Sequence, residues 1–344
     1  IPISTPGYAG TNDMSKSIIC EYVGDMKIYA DIFDDLDPKS IPKVCDFVEF
    51  YSFSVNQSSG VWVKQELLDK VKALRKQIIM NFNRYEGYMG WTLILGPNGN
   101  ENETKLLCDF AKNNSIKGFT IYNFIPSERL GEAINRNIGK YIIPYLKQMK
   151  EFCPPNFIIG LHVSVVPKIL NNAIIYNFEE LNDVVTFYLL DTYSLNTCNP
   201  KLYNGVTPIT KSNPGENYLY GLEEVVSNLK KTKISFKKLV FRIPVGPRNS
   251  TDGSNPPQKM VCKGNFDNSS MCVQTSRNYY DKGEYFHDIQ AGIQVSGLDF
   301  DDYGNTCQCR SAFNGLYNIY AGYTNSTVIP CKKFDVQSTV YRIK

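Results

Sequence analysis

Acidic residues that could supply acid–base chemistry follow several apolar runs of the sequence. Glu128 and Glu132 come soon after the run 118–124, and Asp191 comes directly after the run 184–190. Ser127 precedes a predicted helix, so Glu128 would lie in the first helical turn, where a carboxylate complements the helix dipole. We interpret Glu128 as such a first-turn residue rather than as a catalytic acid. Asp191 could serve a site or make a capping or buried hydrogen bond.

Two other polar groups also have a structural interpretation. Asp299, Asp301 and Asp302 form an acidic cluster after the last apolar run. We expect them to anchor turns rather than to bind calcium. His162 lies in a predicted strand, and we interpret it as a core residue with satisfied hydrogen bonds rather than as a catalyst.

Eight β-rich runs are separated in several places by segments with the apolar spacing of helices. The predicted strands are 17–22, 44–53, 91–95, 118–124, 157–163, 184–190, 238–243 and 291–296. The predicted helices are 63–82, 103–113, 131–152 and 220–230. This alternation indicates parallel strands and predicts one α/β domain over 1–344, a (β/α)8 TIM barrel. Three such units would also fit an open doubly wound sheet, but no Gly-rich dinucleotide-binding motif is present.

The charge balance and the hydropathy pattern exclude two classes of partner. With 37 basic and 34 acidic residues among 344, the net charge of +3 is too small for a nucleic-acid-binding surface. The longest apolar runs are strand-sized, well short of the roughly 20 residues that span a bilayer. The chain begins at Ile1 without an apolar signal region, which we interpret as a mature or trimmed form.

Ten cysteines and six N-x-S/T sequons point to the secretory pathway. The cysteines form no C-x-x-C motif, and only His162 and His287 could assist them, so disulfides are predicted rather than a metal site. The sequence predicts no cofactor. The sequons begin at Asn56, Asn102, Asn113, Asn249, Asn268 and Asn325. Together these features predict a secreted, extracellular, N-glycosylated protein.

Residues 246–285 interrupt the alternation of strands and helices after the seventh predicted strand. The segment begins with a stretch rich in Gly, Pro, Asn and Ser and contains Cys262 and Cys272. It predicts a long glycosylated loop that disulfides tie to the barrel. Cys309 and Cys331 are available to hold the C-terminal tail.

The fourth predicted strand carries the most informative segment, because a barrel places its chemistry at the C-terminal ends of its strands. Inward positions alternate along a strand. Thr120, Tyr122 and Phe124 are therefore predicted to face the barrel interior.

The run 117–126 resembles the D-G-x-D-x-D-W-E-Y-P signature of family 18 glycoside hydrolases, the chitinases. Gly118 and Pro126 are retained. The inward Thr and Tyr stand where the family has two Asp residues. Asn123 stands in place of the Trp, and Phe124 stands in place of the catalytic Glu.

Further family motifs match in order from about residue 17 to residue 307. Residues retained in them are Gly96, Asp191, Ile243, Pro244, Arg248 and most of the segment 292–303. Ser296 stands where the family has a sugar-stacking Trp. The resemblance implies that Cys20 pairs with Cys45, and that Cys307 pairs with one of the two cysteines of the insertion.

The resemblance implies a hydrolase fold without hydrolase chemistry. Family members cleave β-1,4 bonds between N-acetylglucosamine units: the Glu protonates the leaving oxygen, and the substrate's acetamide, positioned by an Asp, attacks the anomeric carbon. Phe124 cannot donate a proton, a step that typically contributes about 10²–10⁴-fold. We therefore predict a catalytically inactive chitinase-like protein.

Sugar binding could survive the loss of catalysis. The candidate ligand-binding residues are Tyr122, Phe124, Tyr188, Asp191, Tyr193 and Arg248. The aromatic side chains among them would either stack on sugar rings or fill the former cleft with apolar bulk, and the sequence slightly favours the second arrangement. Without its Glu partner, Asp191 fits a structural role better than a catalytic one.

Three functions of different classes are compatible with the sequence. The favoured one is extracellular binding of a chitin-type glycan or of a protein partner. The second is a divergent glycoside hydrolase with a relocated acid, for which Glu128 is the candidate. The third is a structural or storage secretory protein without a specific ligand.

Overall fold

A computed structural model describes residues 13–24, 35–126, 132–193, 195–200, 206–210, 220–264, 268–333 and 335. Its strands are β1 (Ile18–Tyr22), β2 (Phe47–Phe50), β3 (Phe53–Val55), β4 (Val61–Val63), β5 (Gln77–Arg84), β6 (Gly118–Ile121), β7 (Ile158–Ser164), β8 (Phe187–Asp191), β9 (Leu239–Pro244), β10 (Arg248–Asn249), β11 (Met271–Cys272) and β12 (Gly292–Ser296).

Eight of these strands form a closed parallel barrel. The order around it is β2, β1, β12, β9, β8, β7, β6 and β5, and β2 pairs with β5 to close the ring. All of these pairs are parallel. The prediction of a (β/α)8 TIM barrel is therefore confirmed.

Helices surround the barrel on the outside. They are α1 (Gln65–Lys72), α2 (Gly87–Ile94), α3 (Glu101–Asn113), α4 (Ile138–Phe152), α5 (Pro167–Leu170), α6 (Phe178–Val184), α7 (Leu222–Leu229), α8 (Gln258–Lys263), α9 (Ser276–Asp288) and α10 (Asn314–Tyr323). Outward side chains of the strands pack with the apolar helix faces in one large core, while a smaller cluster fills the barrel interior. None of the helices described is long and apolar enough to cross a membrane.

The prediction for the third barrel strand was wrong. The segment 91–95 belongs mainly to helix α2, and the third strand is β5, most of which lies in the segment predicted as helix 63–82. Both faces of β5 are buried, so its apolar run 78–80 does not alternate with polar residues and fitted a helical spacing as well. Gly96 follows a helix, so its match to a family strand motif was also wrong.

The segment after β2 forms a small antiparallel hairpin, β3 with β4, called here the β3–β4 hairpin (residues 53–63). Ser54 pairs with Trp62 across it, and β3 also pairs with β5. The hydroxyl of Ser59, in the turn, donates to Oε2 of Glu103 at 2.7 Å. The hairpin is thus fastened both to the barrel and to helix α3.

All ten cysteines form disulfides: Cys20–Cys45, Cys108–Cys153, Cys198–Cys272, Cys262–Cys307 and Cys309–Cys331. The Cys20–Cys45 bond that the resemblance implied is present. Of the two partners open to Cys307, the structure has Cys262.

The segment 246–285, predicted as a loop, contains more regular structure than expected. Strands β10 and β11 form a two-stranded antiparallel sheet, and helix α8 and most of α9 also lie in it. Two disulfides tie it to the segments after β8 and after β12, as predicted in outline.

Candidate functional site

Polar side chains are concentrated inside the barrel near the end where the eight strands finish. We call this end the barrel mouth. Its polar residues, with those just below them, are Glu21, Glu49, Asn81, Asn83, Thr120, Tyr122, Asn123, His162, Asp191, Arg242, Gln294 and Ser296. The opposite end of the interior is apolar and forms a packed core inside the barrel.

Arg242 of β9 is the central cation of the barrel mouth. Its Nη2 lies 3.0 Å from Oε1 of Glu21, and its Nε donates to the hydroxyl of Ser296 at 3.2 Å. Its Nη1 lies 3.9 Å from Oδ1 of Asp191. The guanidinium also lies 4.7 Å from the centre of the Tyr193 ring, a cation–π distance. One arginine therefore holds two carboxylates and an aromatic ring in fixed positions.

Asp191 ends β8 at the barrel mouth, and its side chain is 39% exposed. Burial alone would raise the pKa of this carboxyl, but His162, whose Nε2 is 3.5 Å from Oδ1, and Arg242 lower the pKa to about 2. Asp191 is therefore an ionised acceptor at neutral pH. A sequence-predicted site residue thus lies where a ligand could reach it.

A second polar layer lies deeper, beneath Arg242. The hydroxyl of Tyr122 donates to Oε2 of Glu49 at 3.1 Å, and Nε2 of Gln294 contacts both groups. Burial, followed by the charge of Glu21, raises the pKa of Glu49 to about 7. The ring of Tyr122 stacks on His162 with centroids 4.6 Å apart. Tyr122 is almost fully buried and fills the centre of the barrel.

Phe124 does not face the barrel interior, contrary to the alternation predicted from the sequence. Strand β6 ends at Ile121, and Asn123 has a positive φ of 54°, which breaks the alternation. Phe124 is fully buried in the core outside the barrel, 6.5 Å from the ring of Trp91. The exposed residue at this point of the barrel mouth is Asn123, whose Nδ2 donates to Oδ1 of Asn83 at 2.9 Å.

The other predicted ligand-binding residues are divided between the barrel mouth and the core. Tyr188 points outward, is fully buried, and donates to Oδ1 of Asn182 at 2.9 Å. Tyr193 and Arg248 are partly exposed, and the guanidinium lies 6.0 Å from the Tyr193 ring centre. The structure thus brings Asp191, Tyr193 and Arg248 to one surface and leaves Phe124 and Tyr188 away from it.

Glu21, Glu49 and Arg242 were missed in the sequence, although a signal existed. Each is a charged residue at an inward position of an otherwise apolar strand, and each is at least mostly buried. Buried charges of this kind require partners. A charge inside a predicted barrel strand is therefore a usable mark of a polar site.

The acidic cluster after β12 anchors backbone turns, as expected. Asp299 accepts from the amides of Val23 and Gly24, and Asp301 accepts from those of Gly315 and Leu316. Asp302 accepts from the amides of residues 306 and 307. No group of three or more His, Cys, Asp or Glu in the described part of the chain is arranged to hold a metal ion.

The structure gives the exposure of five of the six sequon asparagines. Four begin at exposed asparagines, Asn56, Asn102, Asn113 and Asn325, and Asn249 is partly exposed. The side chain of Asn268 and residues 127–131, which include Glu128, lie outside what the structure describes.

Comparison by sequence finds neither a matching protein-family model nor a matching curated protein. Comparison of structures finds solved proteins with a similar fold. Catalytic domain 2 of the Group II chitinase of Ostrinia furnacalis has a TM-score of 0.73 at 14% identity, over 92% of this chain and 98% of that chain. The immunomodulatory active chitinase TsES1 of Trichuris suis has a TM-score of 0.70 at 12% identity, over 89% and 99%.

A solved structure described as a pseudo-chitinase is among these relatives. Human YKL-39, a pseudo-chitinase with retained chitooligosaccharide-binding properties, has a TM-score of 0.70 at 12% identity, over 90% of this chain and 99% of that chain. At such identities the similarity establishes the fold. The chain therefore has the fold of family 18 chitinases and of chitinase-like proteins, as the resemblance of its motifs implied.

Proposed function

We propose that the protein is a secreted, catalytically inactive chitinase-like protein that binds a chitin-type oligosaccharide at the barrel mouth. The observation that carries the proposal is the replacement at Phe124. A hydrocarbon side chain stands where the resemblance places the proton donor, and it is buried against Trp91, away from the barrel interior. A proton donor is indispensable for glycoside cleavage, so this position cannot support it.

The barrel mouth nevertheless offers groups that suit a sugar. Asp191 is ionised and partly exposed, and Asn123 presents an exposed amide at another point of the barrel mouth, after β6. Tyr193 supplies an aromatic face held by Arg242. Carboxylates and amides bind hydroxyl and acetamide groups, while aromatic faces pack against sugar rings. That YKL-39 has the same fold and retains chitooligosaccharide binding supports this assignment.

Tyr122 limits how deeply such a ligand can enter. Its hydroxyl and ring are engaged by Glu49, Gln294 and His162, so it closes the interior below the rim. We therefore expect the sugar to lie across the barrel mouth rather than in the barrel.

Secretion is supported by two features. Five disulfides persist in oxidising compartments. The exposed positions of the described sequons suit N-glycosylation.

A divergent hydrolase is the second candidate, because one acid has the required pKa. Glu49, with its pKa raised to about 7, would keep a substantial protonated fraction at neutral pH, as a general acid needs. Its side chain is nearly inaccessible, however, and its carboxyl contacts Tyr122 and Gln294. A sugar could reach it only after Tyr122 moved.

The test is calorimetric titration of the glycosylated protein with a chitin hexasaccharide, followed by a cleavage assay on the same sample. We expect saturable binding without cleavage. Asp191→Asn should weaken binding about tenfold, the cost of losing a charged hydrogen bond. Glu179→Gln, which changes an exposed carboxylate on α6, should leave binding unchanged.

Two outcomes would overturn the proposal. Cleavage that disappears in Glu49→Gln would make the protein a hydrolase with a relocated acid. Absence of binding by the wild-type protein would favour a protein partner or a structural or storage role.

A further inference from the structure

An aromatic groove lies on the β3–β4 hairpin, separate from Arg242 and its partners. It is lined by Ser54, Asn56, Gly60, Val61, Trp62 and Tyr85, encloses about 610 Å³, and is called here the hairpin groove. Trp62 is 57% exposed and Tyr85 is 82% exposed. Two large aromatic side chains exposed in one groove form a contiguous apolar patch, and such patches mark interaction sites more often than scattered apolar residues do.

The groove contains the acceptor of a sequon. Asn56, Gln57 and Ser58 form an N-x-S sequence, and Asn56 is exposed at the end of β3. Ser54 and Trp62 are cross-strand partners, and Asn56 is two residues beyond Ser54, so all three side chains lie on one face of the hairpin. The acceptor amide and the indole ring are therefore neighbours in the same concave surface.

The amide of Asn56 is held in a fixed orientation. Its Oδ1 accepts from the backbone amides of Ser58 at 2.9 Å and Gly60 at 2.8 Å. A Cβ atom at Gly60 would lie 2.8 Å from Nδ2 of Asn56, so a glycine here leaves space beside the nitrogen. Both hydrogen bonds use the amide oxygen, so they persist when the nitrogen is substituted.

The base of the groove is also rigid. The turn hydroxyl of Ser59 donates to Glu103, and Nη1 of Arg84 lies 3.4 Å from the carbonyl oxygen of Asn56. Arg84 and Glu103 form a fully buried ion pair. A substituent on Asn56 would therefore project from a fixed point along a preformed aromatic surface.

We propose that the hairpin groove is covered by the protein's own N-glycan, whose first N-acetylglucosamine is attached to Asn56 and packs on Trp62 and Tyr85. The attachment replaces one Nδ2–H bond by a bond to C1 of the sugar. The C1–O bond of the lipid-diphosphate-linked sugar donor of the secretory pathway breaks, the lipid diphosphate leaves, and a base takes the amide proton. The proposal rests on the secreted state proposed above, and it is independent of glycan binding at the barrel mouth.

Tryptophan fluorescence tests this directly, because the chain has two tryptophans and only Trp62 is exposed, while Trp91 is fully buried. The protein is produced in a secretory host, and its N-glycans are trimmed enzymatically to single N-acetylglucosamines. Iodide quenching is compared with that of Ser58→Ala, which removes the sequon but keeps Asn56 and its backbone hydrogen bonds. We expect the trimmed wild type to be about twofold less quenched, since the sugar shields one ring face.

A matched control uses a distant sequon. Thr327→Ala removes the acceptor sequence of Asn325, beyond helix α10, and should leave the quenching of Trp62 as in wild type. Glycopeptide mass spectrometry should find Asn56 occupied in wild type and in Thr327→Ala. Equal quenching of wild type and Ser58→Ala, or an unmodified Asn56, would overturn the proposal.

A free sugar provides the last arm of the test. Chitin hexasaccharide should protect Trp62 in Ser58→Ala more than in the glycosylated protein, since the groove is vacant only in the variant. Equal protection in both would make the groove an open binding site and overturn the proposal. Occupancy of Asn56 and the effect of its sugar on Trp62 are measured without added hexasaccharide, so failure of one proposal does not imply failure of the other.

Discussion

Arg84 and Glu103 form a buried ion pair between the barrel and its helices, whereas Arg242 and Glu21 form another inside the barrel. The side chains of the first pair are both 0% exposed. Those of the second are 17% and 3% exposed, respectively. The two pairs thus differ in access to water, although each joins the same two residue types.

The partners of the two pairs differ as well. The Glu103 carboxylate takes both terminal nitrogens of Arg84 and the hydroxyls of Ser59 and Tyr145, so the chain itself saturates it. The Arg242 guanidinium is instead shared with Asp191, which is partly exposed. The difference indicates that the outer pair fastens the β3–β4 hairpin and α3 together, while the inner pair can exchange a contact for a ligand.

The largest effect is expected from breaking the outer pair. Glu103→Ala leaves Arg84 buried without a counter-charge, which should lower the free energy of unfolding by about 3–5 kcal/mol. Denaturant unfolding followed by tryptophan fluorescence measures it. Glu101→Ala removes an exposed partner of Lys105 from the same helix and should have no measurable effect. Equal losses for the two variants would contradict the structural role of the pair.

A smaller effect is expected from breaking the inner pair. Arg242→Ala should cost on the order of 3 kcal/mol at most, because the hydroxyl of Ser296 and the amide of Gly297 still donate to the carboxylate of Glu21 that remains. Adding Glu21→Gln should recover part of the loss, since no unpaired charge then remains buried. At the outer pair, Arg84→Ala is the corresponding single variant. Adding Glu103→Gln to it should recover a smaller part of its loss of stability, because the hydroxyls of Ser59 and Tyr145 still depend on the Glu103 carboxylate. Equal recovery at both sites would erase the distinction between them.

The sequence predicted the architecture better than it predicted this inner layer. Seven of the eight barrel strands overlap predicted ones, because their buried β-branched and aromatic runs are short and bounded by polar segments. Strand β5 was missed because it is buried on both faces. The position of Phe124 depended on the positive φ of Asn123, which no apolar pattern reveals.

Pairings across the barrel were likewise beyond the sequence. Glu21 and Glu49 are neighbours in register on β1 and β2, yet they are 28 residues apart along the chain. Gln294, which contacts Glu49, comes from the last strand. Only closure of the barrel brings these three together, so their shared network could not be predicted from local spacing.

The smallest expected effect is the change with pH in the stability that protonation of Glu49 contributes. Burial and the neighbouring charge of Glu21 raise the pKa of Glu49 to about 7 from an ordinary 4.5, so the folded protein binds this proton more tightly than the unfolded chain. The stability it contributes is full below pH 4.5 and is lost as the pH rises through about 7. Glu49→Gln imitates the protonated form at every pH. Its stability relative to wild type should therefore increase by on the order of 2 kcal/mol between pH 5 and pH 8.

Urea unfolding at the two pH values measures this difference, and comparison with wild type cancels the contributions of other titrating groups such as Asp299, whose buried carboxyl also has a raised pKa. Glu179→Gln, at an exposed carboxylate, should show the same stability relative to wild type at both pH values. A Glu49→Gln difference that does not change with pH would mean that Arg242 already neutralises both carboxylates of the inner layer. The barrel interior would then be as fully compensated as the outer pair, and its polar layer would have no charge left to offer a ligand.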